Sequence, residues 1–344
     1  MHPNLKYRGV IDMQESIRYY LEQVKIGRQQ SYKNMALFPL LSTYSLDLDY
    51  LLLDEALAAE VIEIVEAVKE GAVPELKVIN KSPRMILILD GEELVGAKQN
   101  RIVNTTILVQ GNGQIIIPVS CVEMGRWSYE SPSFRSEQRI MSSELRAMKA
   151  RQVQSSLRST GNYRSDQAAI WDGISEKASR RGARSPSMAM SEIYKKDRSS
   201  IDEYAKHFRL IDSQTGAVFM INGKVVGMDS FGKADSFLKV FRKLVESYAL
   251  DAIDWFDPEK EYKPLKGGVT RFIRDSLASQ AESRPSVGLG TDLRIESKKM
   301  TGFALALNDK ILHLCLFAMS KEDGYGGRSS RMERYSRRRQ HRIY

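Results

Sequence analysis

Runs of apolar residues, broken by tight-turn dipeptides, recur on both sides of the middle of the chain. The continuous apolar run 85–89 predicts a buried strand, and Asp90-Gly91 directly after it favours a hairpin turn. The runs 102–109 and 115–122 flank Gly111-Asn112-Gly113, which predicts a second hairpin. By the same pattern, further strands are expected over residues 34–41, 75–79, 217–221, 224–228, 291–297, 301–307 and 311–317.

Apolar residues at helical spacing predict three helices outside the middle of the chain. The first lies within residues 9–24, and the second spans 54–69, where Asp54 can cap the start. The third begins at Asp235 and carries a strong apolar face as far as Tyr248. With the strands, these helices predict an α+β fold in which helices pack on a mostly antiparallel sheet.

The middle of the chain has a different texture, because aliphatic residues become sparse and Ser, Arg and Gln dominate. We expect a helical insertion or lid there, and a disordered tail rich in Gly, Ser and Arg at the end. The chain then divides into four parts. They are a first β-rich repeat with N-terminal helices (1–127), a basic helical insertion (128–208), a second β-rich repeat (209–320) and the tail (321–344).

Two segments of the chain resemble each other and suggest an internal duplication. MILILDGEELVGA (85–97) and AVFMINGKVVGM (217–228) both read as a strand, an Asx-Gly turn, a second strand and a glycine. Apolar strands joined by such turns can also look alike by chance. The repeat hypothesis predicts a duplicated antiparallel β core.

The two copies diverge after the shared glycine, where only the first copy continues into a dense polar run. This run holds Lys98, Gln99, Asn100 and Arg101, and Asn104 follows closely. A second polar segment, 120–127, ends the next predicted strand and contains Glu123, Arg126 and Trp127. If the strands around Gly111-Asn112-Gly113 pair, their far ends bring the two segments together.

These side chains suit an anionic ligand. Lys98, Arg101 and Arg126 can bind phosphate. Trp127 offers a stacking face, and Glu123 can act as an acid or base. The amides of Gln99 and Asn104 can read a ribose or a base, and Asn100 is a further candidate ligand-binding residue. The alternatives are a satisfied internal polar network, or a surface pair of Glu123 with Arg126 beside a core Trp127.

The formal net charge of +9 is concentrated in two segments. Residues 126–198 hold fifteen Lys and Arg against eight Asp and Glu, and residues 328–344 hold seven Arg against one Glu. These segments support an alternative function, a non-enzymatic module that binds nucleic acid or a partner with strong salt dependence. Beside the leading hypothesis of a small-molecule ligand, we expect only a weak nucleic-acid contact through the arginine-rich tail.

Other classes of function find little support in the sequence. The two cysteines, Cys121 and Cys315, lie in apolar runs and predict buried, inert thiols, with a nucleophilic Cys121 as the alternative. The four histidines are scattered, so we expect no metal, and we expect no cofactor. No phosphate-binding or dinucleotide-binding glycine motif is present. Neither a signal peptide nor a membrane-spanning run is evident, so we expect a soluble cytoplasmic protein.

Several segments resemble a bacterial and archaeal family, the ARG and rhodanese-phosphatase-superfamily-associated protein domain, where ARG denotes ADP-ribosylglycohydrolase. The segments that carry the resemblance are GEELVGAKQNRIVNTTILV (91–109), IPVSCVEMGRW (117–127), SDQAAIWDGI (165–174), INGKVVGMDSFG (221–232) and LHLCLFA (312–318). The resemblance implies a role near ADP-ribose or NAD-derived nucleotides. The expected partner is therefore a small anionic nucleotide that the protein binds and, in the stronger form of the hypothesis, processes.

Overall fold

The computed structural model describes residues 13–67, 74–125 and 131–319. The described residues form eight helices: α1 (Met13–Glu22), α2 (Leu53–Ala58), α3 (Ser143–Thr160), α4 (Gln167–Arg181), α5 (Met190–Lys196), α6 (Arg198–Ala205), α7 (Ala234–Asp254) and α8 (Lys266–Leu277). The first twelve strands are β1 (Val24–Ile26), β2 (Gln30–Tyr32), β3 (Met35–Ser42), β4 (Tyr50–Leu52), β5 (Ile62–Glu66), β6 (Glu75–Asn80), β7 (Met85–Ile88), β8 (Glu92–Val95), β9 (Arg101–Val103), β10 (Ile107–Val109), β11 (Gln114–Cys121) and β12 (Arg135–Ile140). The remaining strands are β13 (Gln214–Ile221), β14 (Lys224–Phe231), β15 (Gln280–Pro285), β16 (Thr291–Glu296), β17 (Met300–Leu307) and β18 (Lys310–Ala318).

The strands form three sheets, and all pairings but one are antiparallel. The nine-stranded sheet has the order β1-β3-β13-β14-β18-β17-β16-β15, with β2 also on β3. The six-stranded sheet has the order β12-β8-β9-β11-β6-β5, and the three-stranded sheet has the order β10-β7-β4. The exception is the parallel pair β4 and β7. The expected α+β fold is confirmed.

The three-stranded sheet lies between the cores of the two larger sheets. Ile86 and Ile88 of β7 pack with the core of the six-stranded sheet, whereas Leu87 and Leu89 pack with the core of the nine-stranded sheet. Because successive side chains of a strand point to opposite faces, this strand is buried on both sides. That position explains why its sequence is a continuous apolar run rather than an alternating one.

Helices cover both faces of the nine-stranded sheet. On one face, Tyr248 of α7 stacks on Phe219, and Ala150 of α3 packs with Phe303 and Phe317. On the opposite face, the Tyr20 hydroxyl of α1 donates to the backbone oxygen of Phe231. The predicted insertion therefore contributes α3 to the interior of the protein, and β12 extends the six-stranded sheet.

The two similar segments adopt different topologies. In the second copy, β13 and β14 form a hairpin around Asn222-Gly223, whose positive φ angles of 52° and 74° fit the predicted turn. The hairpin predicted at Asp90-Gly91 is wrong, because β7 pairs with β4 and β10, whereas β8 pairs with β9 and β12. The Glu92 carboxylate accepts a hydrogen bond from the backbone nitrogen of Leu89, and the chain crosses from one sheet to the other.

The strands around Gly111-Asn112-Gly113 also differ from the prediction. The run 102–109 is divided into β9 and β10, which lie in different sheets. Of these two strands, β9 pairs with β11, from Val119 opposite Val103 to Cys121 opposite Arg101, and β10 does not. The far ends of the two predicted strands are therefore neighbours, although no single hairpin joins them.

The helix predicted over residues 54–69 is also wrong in its length. Helix α2 ends at Ala58, Glu60 turns with a φ of 56°, and β5 follows. The β-branched residues Val61, Ile62, Ile64 and Val65 suit a strand, and β6 supplies its partner. Residues 68–69, at the end of the predicted helix, lie outside the described residues.

Two buried cations of α3 link the sheets. The Arg146 guanidinium forms a two-pronged pair with Asp229 of β14, at 2.7 Å and 3.2 Å, and its Nε donates to Asp90 at 3.3 Å. Lys149 pairs with the other carboxylate oxygen of Asp90 and donates to the backbone oxygen of Val103 at 2.7 Å. Asp229 belongs to the nine-stranded sheet and Val103 to the six-stranded sheet, so α3 connects both.

Burial and charge oppose each other at these groups. Desolvation alone would raise the pKa of Asp229, but Arg146 and His313 outweigh it and hold that pKa well below its usual range. Burial lowers the pKa of Lys149 although Asp90 opposes the fall. The carboxylate of Asp229 is further held by the Tyr248 hydroxyl, which donates at 2.9 Å.

We expect Arg146→Met to destabilise the protein by about 3–5 kcal/mol, because the substitution leaves Asp229 and Asp90 buried without their shared cation. Arg158→Met is the matched control, since the Arg158 side chain is 46% exposed and pairs with Glu282 and Glu296 at the surface. Its cost should stay below about 1 kcal/mol. Urea denaturation of both variants measures the difference, and equal losses would contradict the account.

Candidate functional site

The polar run of the first copy lies in a tight loop between β8 and β9. Gly96 has a φ of 151°, and a Cβ there would lie 2.6 Å from the backbone oxygen of Ser133. Ala97 is wholly buried and has a φ of 42°, in the left-handed region that non-glycine residues seldom adopt. A left-handed backbone conformation of this kind is energetically unfavourable and persists only where surrounding contacts fix it. The loop is therefore rigidly placed beside β9.

The structure brings the two predicted polar segments together. Arg101 lies opposite Cys121 on β11, and the backbone nitrogen of Val122 donates to the oxygen of Asn100 at 3.0 Å. We call residues 98–104 with residues 120–123 the polar cluster. Within it, Gln99, Asn100, Arg101, Asn104 and Glu123 are all buried, whereas Lys98 is half-buried. Arg126 and Trp127 lie outside the described residues.

Much of the polar cluster is bonded internally. Both oxygens of Glu123 are engaged, one by the Ser187 hydroxyl at 2.7 Å and the other by the backbone nitrogen of Asn100 at 3.4 Å. Asn104 donates to the backbone oxygen of Tyr163 at 3.1 Å and accepts from the Ser120 hydroxyl at 2.7 Å. These contacts give Glu123 and Asn104 positions that are fixed by the fold.

Three buried donors near this cluster have no hydrogen-bond partner among the described residues. They are Nε2 of Gln99, Nε of Arg101 and Nε1 of Trp171. Gln167 joins α4 to the cluster, because its amide accepts from the backbone nitrogen of Cys121 at 2.8 Å and donates to the backbone oxygen of Cys121 at 2.7 Å. Trp171 follows Gln167 by about one turn of α4 and so lies on the same face of that helix. Buried donors without acceptors are costly, and each calls for an explanation.

Cys121 lies at the centre of these contacts. Arg101 donates to its sulfur, and the Arg101 guanidinium also lies 3.5 Å from Glu66. Desolvation raises the pKa of the Cys121 thiol, although the nearby Arg101 opposes the rise. A raised pKa disfavours the thiolate, so the thiol is poorly suited to act as a nucleophile.

The sequence interpretation overlooked the buried ions of α3. Arg146 and Lys149 were counted within the basic insertion, yet they are wholly buried, as are Asp90 and Asp229. A signal was present, because the two cations fall at helical spacing with the apolar residues Ala150 and Val153. Charges on the apolar face of a helix predict buried partners.

The basic insertion is not a free cationic surface over its described residues. Besides Arg146 and Lys149, its cations form ion pairs such as Arg139 with Glu93, Arg158 with Glu282, Lys177 with Asp251, Arg180 with Asp254, Arg181 with Asp197 and Arg198 with Glu246. Paired cations have little remaining attraction for nucleic-acid phosphates. The arginine-rich tail at 321–344 lies outside the described residues.

Two further observations hold for the part of the chain that the structure describes. It contains no group of three or more His, Cys, Asp or Glu side chains that could hold a metal ion. None of its helices is both long enough and apolar enough to cross a membrane.

Comparison with known proteins finds one family model that matches, the ARG and Rhodanese-Phosphatase-superfamily-associated Protein domain, over residues 23–317. This match covers the polar cluster, α3 and all of the strands up to β17. No curated protein matches the chain, and no solved structure matches it.

We expect one thiol to react with Ellman's reagent in the native protein, because Cys121 is partly exposed and Cys315 is wholly buried. Since the pKa of Cys121 is raised, its labelling rate should climb with pH up to about pH 9 without a plateau. Cys121→Ser should abolish native-state labelling. A plateau below about pH 8 would instead reveal an activated thiolate.

Proposed function

Because the chain belongs to the ARG and Rhodanese-Phosphatase-superfamily-associated Protein domain family, we propose that it binds an ADP-ribose- or NAD-derived nucleotide at the polar cluster. The family name places its members in association with ADP-ribosylglycohydrolases. Association alone is a weak argument for a ligand, so the proposal needs support from the chemistry of the residues themselves.

The observation that carries the proposal is the set of buried donors without partners. Gln99, Arg101 and Trp171 each present an unpaired N–H group. Arg101 contacts Cys121, Gln99 precedes Arg101 by two residues, and Trp171 follows by one helical turn the Gln167 that bonds the Cys121 backbone. A ligand rich in acceptor oxygens would satisfy them. The phosphates and ribose hydroxyls of ADP-ribose supply such oxygens, and phosphate in particular suits an arginine.

The cluster divides into residues that would contact a nucleotide and residues that hold the cluster in place. Lys98 and Arg101 would bind phosphate, and Gln99 would bind a ribose or base oxygen. Asn104 already uses its amide nitrogen and its oxygen within the protein, so we now assign it a positioning role. Arg126 and Trp127 remain proposed contacts for phosphate and base, on the basis of their place in the sequence.

Glu123 is the residue that would serve as acid or base in any hydrolysis of the bound nucleotide. Its carboxylate is buried, held by Ser187, and adjacent to the backbone of Asn100. A fixed carboxylate next to phosphate- and ribose-binding groups has the placement that general acid–base catalysis needs. Nucleotide binding is the primary proposal, and hydrolysis of the nucleotide would require it.

The test is a thermal-shift titration with ADP-ribose and with NAD. Ligand at one hundred times Kd stabilises a protein by about 2.7 kcal/mol, which should raise the Tm by several degrees. Gln99→Leu should weaken binding by about tenfold, because it removes a donor, yet the free protein should remain as stable as the parent because that donor is unpaired.

Gln154→Leu is the matched control, since Gln154 on α3 is also buried with its amide unpaired and lies outside the polar cluster. It should leave nucleotide affinity unchanged. Absence of any shift with the parent protein, or equal affinity in both variants, would contradict the proposal. Salt-sensitive binding of nucleic acid that is lost on deletion of residues 321–344 would favour the alternative function.

A further inference from the structure

A cavity of about 500 Å³ lies at the other copy of the repeated segment. It is formed by the first two turns of α3, the turn between β13 and β14, Trp255 after α7, and the end of β18. Its volume falls within the range of small-molecule sites, about 300–1,000 Å³. None of the residues of the polar cluster lines it.

The lining of the cavity is mainly apolar and includes one large aromatic ring. Ala147 and Met148 contribute from α3, Val225 and Val226 contribute from β14, and Trp255 completes the set. Small-molecule sites combine an apolar wall of this kind with a few polar groups that orient the ligand. An indole is also the largest flat surface that a side chain can offer to a flat ligand.

The position of Trp255 is fixed by hydrogen bonds to the turn. The Asn222 amide donates to the backbone oxygen of Trp255 at 3.0 Å and accepts from the Asn34 amide at 2.8 Å. The Trp255 ring lies 6.0 Å from the Nζ of Lys177, which is wholly buried. The cavity is therefore largely formed before any ligand binds, which lowers the entropic cost of binding.

The charges that line the cavity favour an anion. Lys224, which is exposed, contributes a positive charge. The carboxylate in the lining, Glu144, pairs with Lys177 at 2.9 Å and with Arg180 at 3.1 Å. The positive charge of Lys224 therefore shares the cavity with a carboxylate whose charge is already compensated.

We propose that this cavity is a second ligand site, for a small organic anion with a flat apolar body. The flat body would lie against Trp255 and the two valines, and the anionic group would pair with Lys224. The proposal is independent of the nucleotide site, because it rests on residues outside the polar cluster.

Two fluorescent probes that differ in charge test this proposal on the full-length protein. Anilinonaphthalene sulfonate is a flat aromatic anion, and phenyl-naphthylamine is its neutral counterpart. We expect one molecule of the anionic probe to bind per chain, with energy transfer from tryptophan that falls in Trp255→Phe. Lys224→Glu should weaken the anionic probe by about tenfold and should leave the neutral probe within about twofold, because only the ion pair changes.

Lys195→Glu is the matched control, since Lys195 is also exposed but lies on α5, away from the cavity. It should leave the affinity for both probes unchanged, and Gln99→Leu should do the same. The proposal is overturned if Lys224→Glu and Lys195→Glu affect the anionic probe equally, if several molecules bind with similar affinity, or if Trp255→Phe leaves energy transfer intact.

Discussion

The fold depends on the buried ion pairs that Arg146 and Lys149 make with Asp90 and Asp229. These four side chains are wholly buried and join a helix to two different sheets. Taking charges out of water is expensive, and a well-packed apolar core at the same place can be equally stable. Once the charges are buried, however, each needs its partner at a definite distance. The network therefore restricts how α3 and the two sheets can be arranged.

The polar cluster is connected to this network through β9. Lys149 donates to the backbone oxygen of Val103, and the same short strand begins with Arg101. Arg101 in turn contacts Cys121, whose backbone is held by Gln167 of α4. The cluster thus rests on two helices from the segment that the sequence suggested was a lid. Its donors are held in place by the fold, as the proposed binding site would require.

Local patterns predicted those elements whose partners are close in the chain. The turn at Asn222-Gly223 and the helix that begins near Asp235 form as predicted, because their residues contact near neighbours. Asp90-Gly91 carries the same signal but does not form a hairpin, because long-range pairing decides the course of β7 and β8. Asp90 contacts Arg146, 56 residues away, and Arg146 contacts Asp229, 83 residues away.

The candidate site also depends on contacts between residues that are far apart in the chain, and these could not be predicted from local patterns. The pairing of β9 with β11, and with it the meeting of the two polar segments, could be predicted from the strand pattern. The internal bonds of Asn104 and Glu123 could not, because Tyr163 and Ser187 reach them from distant parts of the insertion. The structure also alters the contrast between the two copies, of which only the first continues into a dense polar run in the sequence. The polar cluster follows the first copy, whereas the second copy lines a cavity and is followed directly by Asp229 of the buried ions.

The most direct test of the central claim is a double-mutant cycle on Arg146 and Asp229, with unfolding free energies measured in urea for Arg146→Met, Asp229→Leu and the double variant. If the pair holds α3 between the sheets, each single change leaves a buried charge unpaired. The double variant should then be more stable than the sum of the two losses predicts, with a coupling of about 2 kcal/mol or more. Losses that simply add would contradict the account.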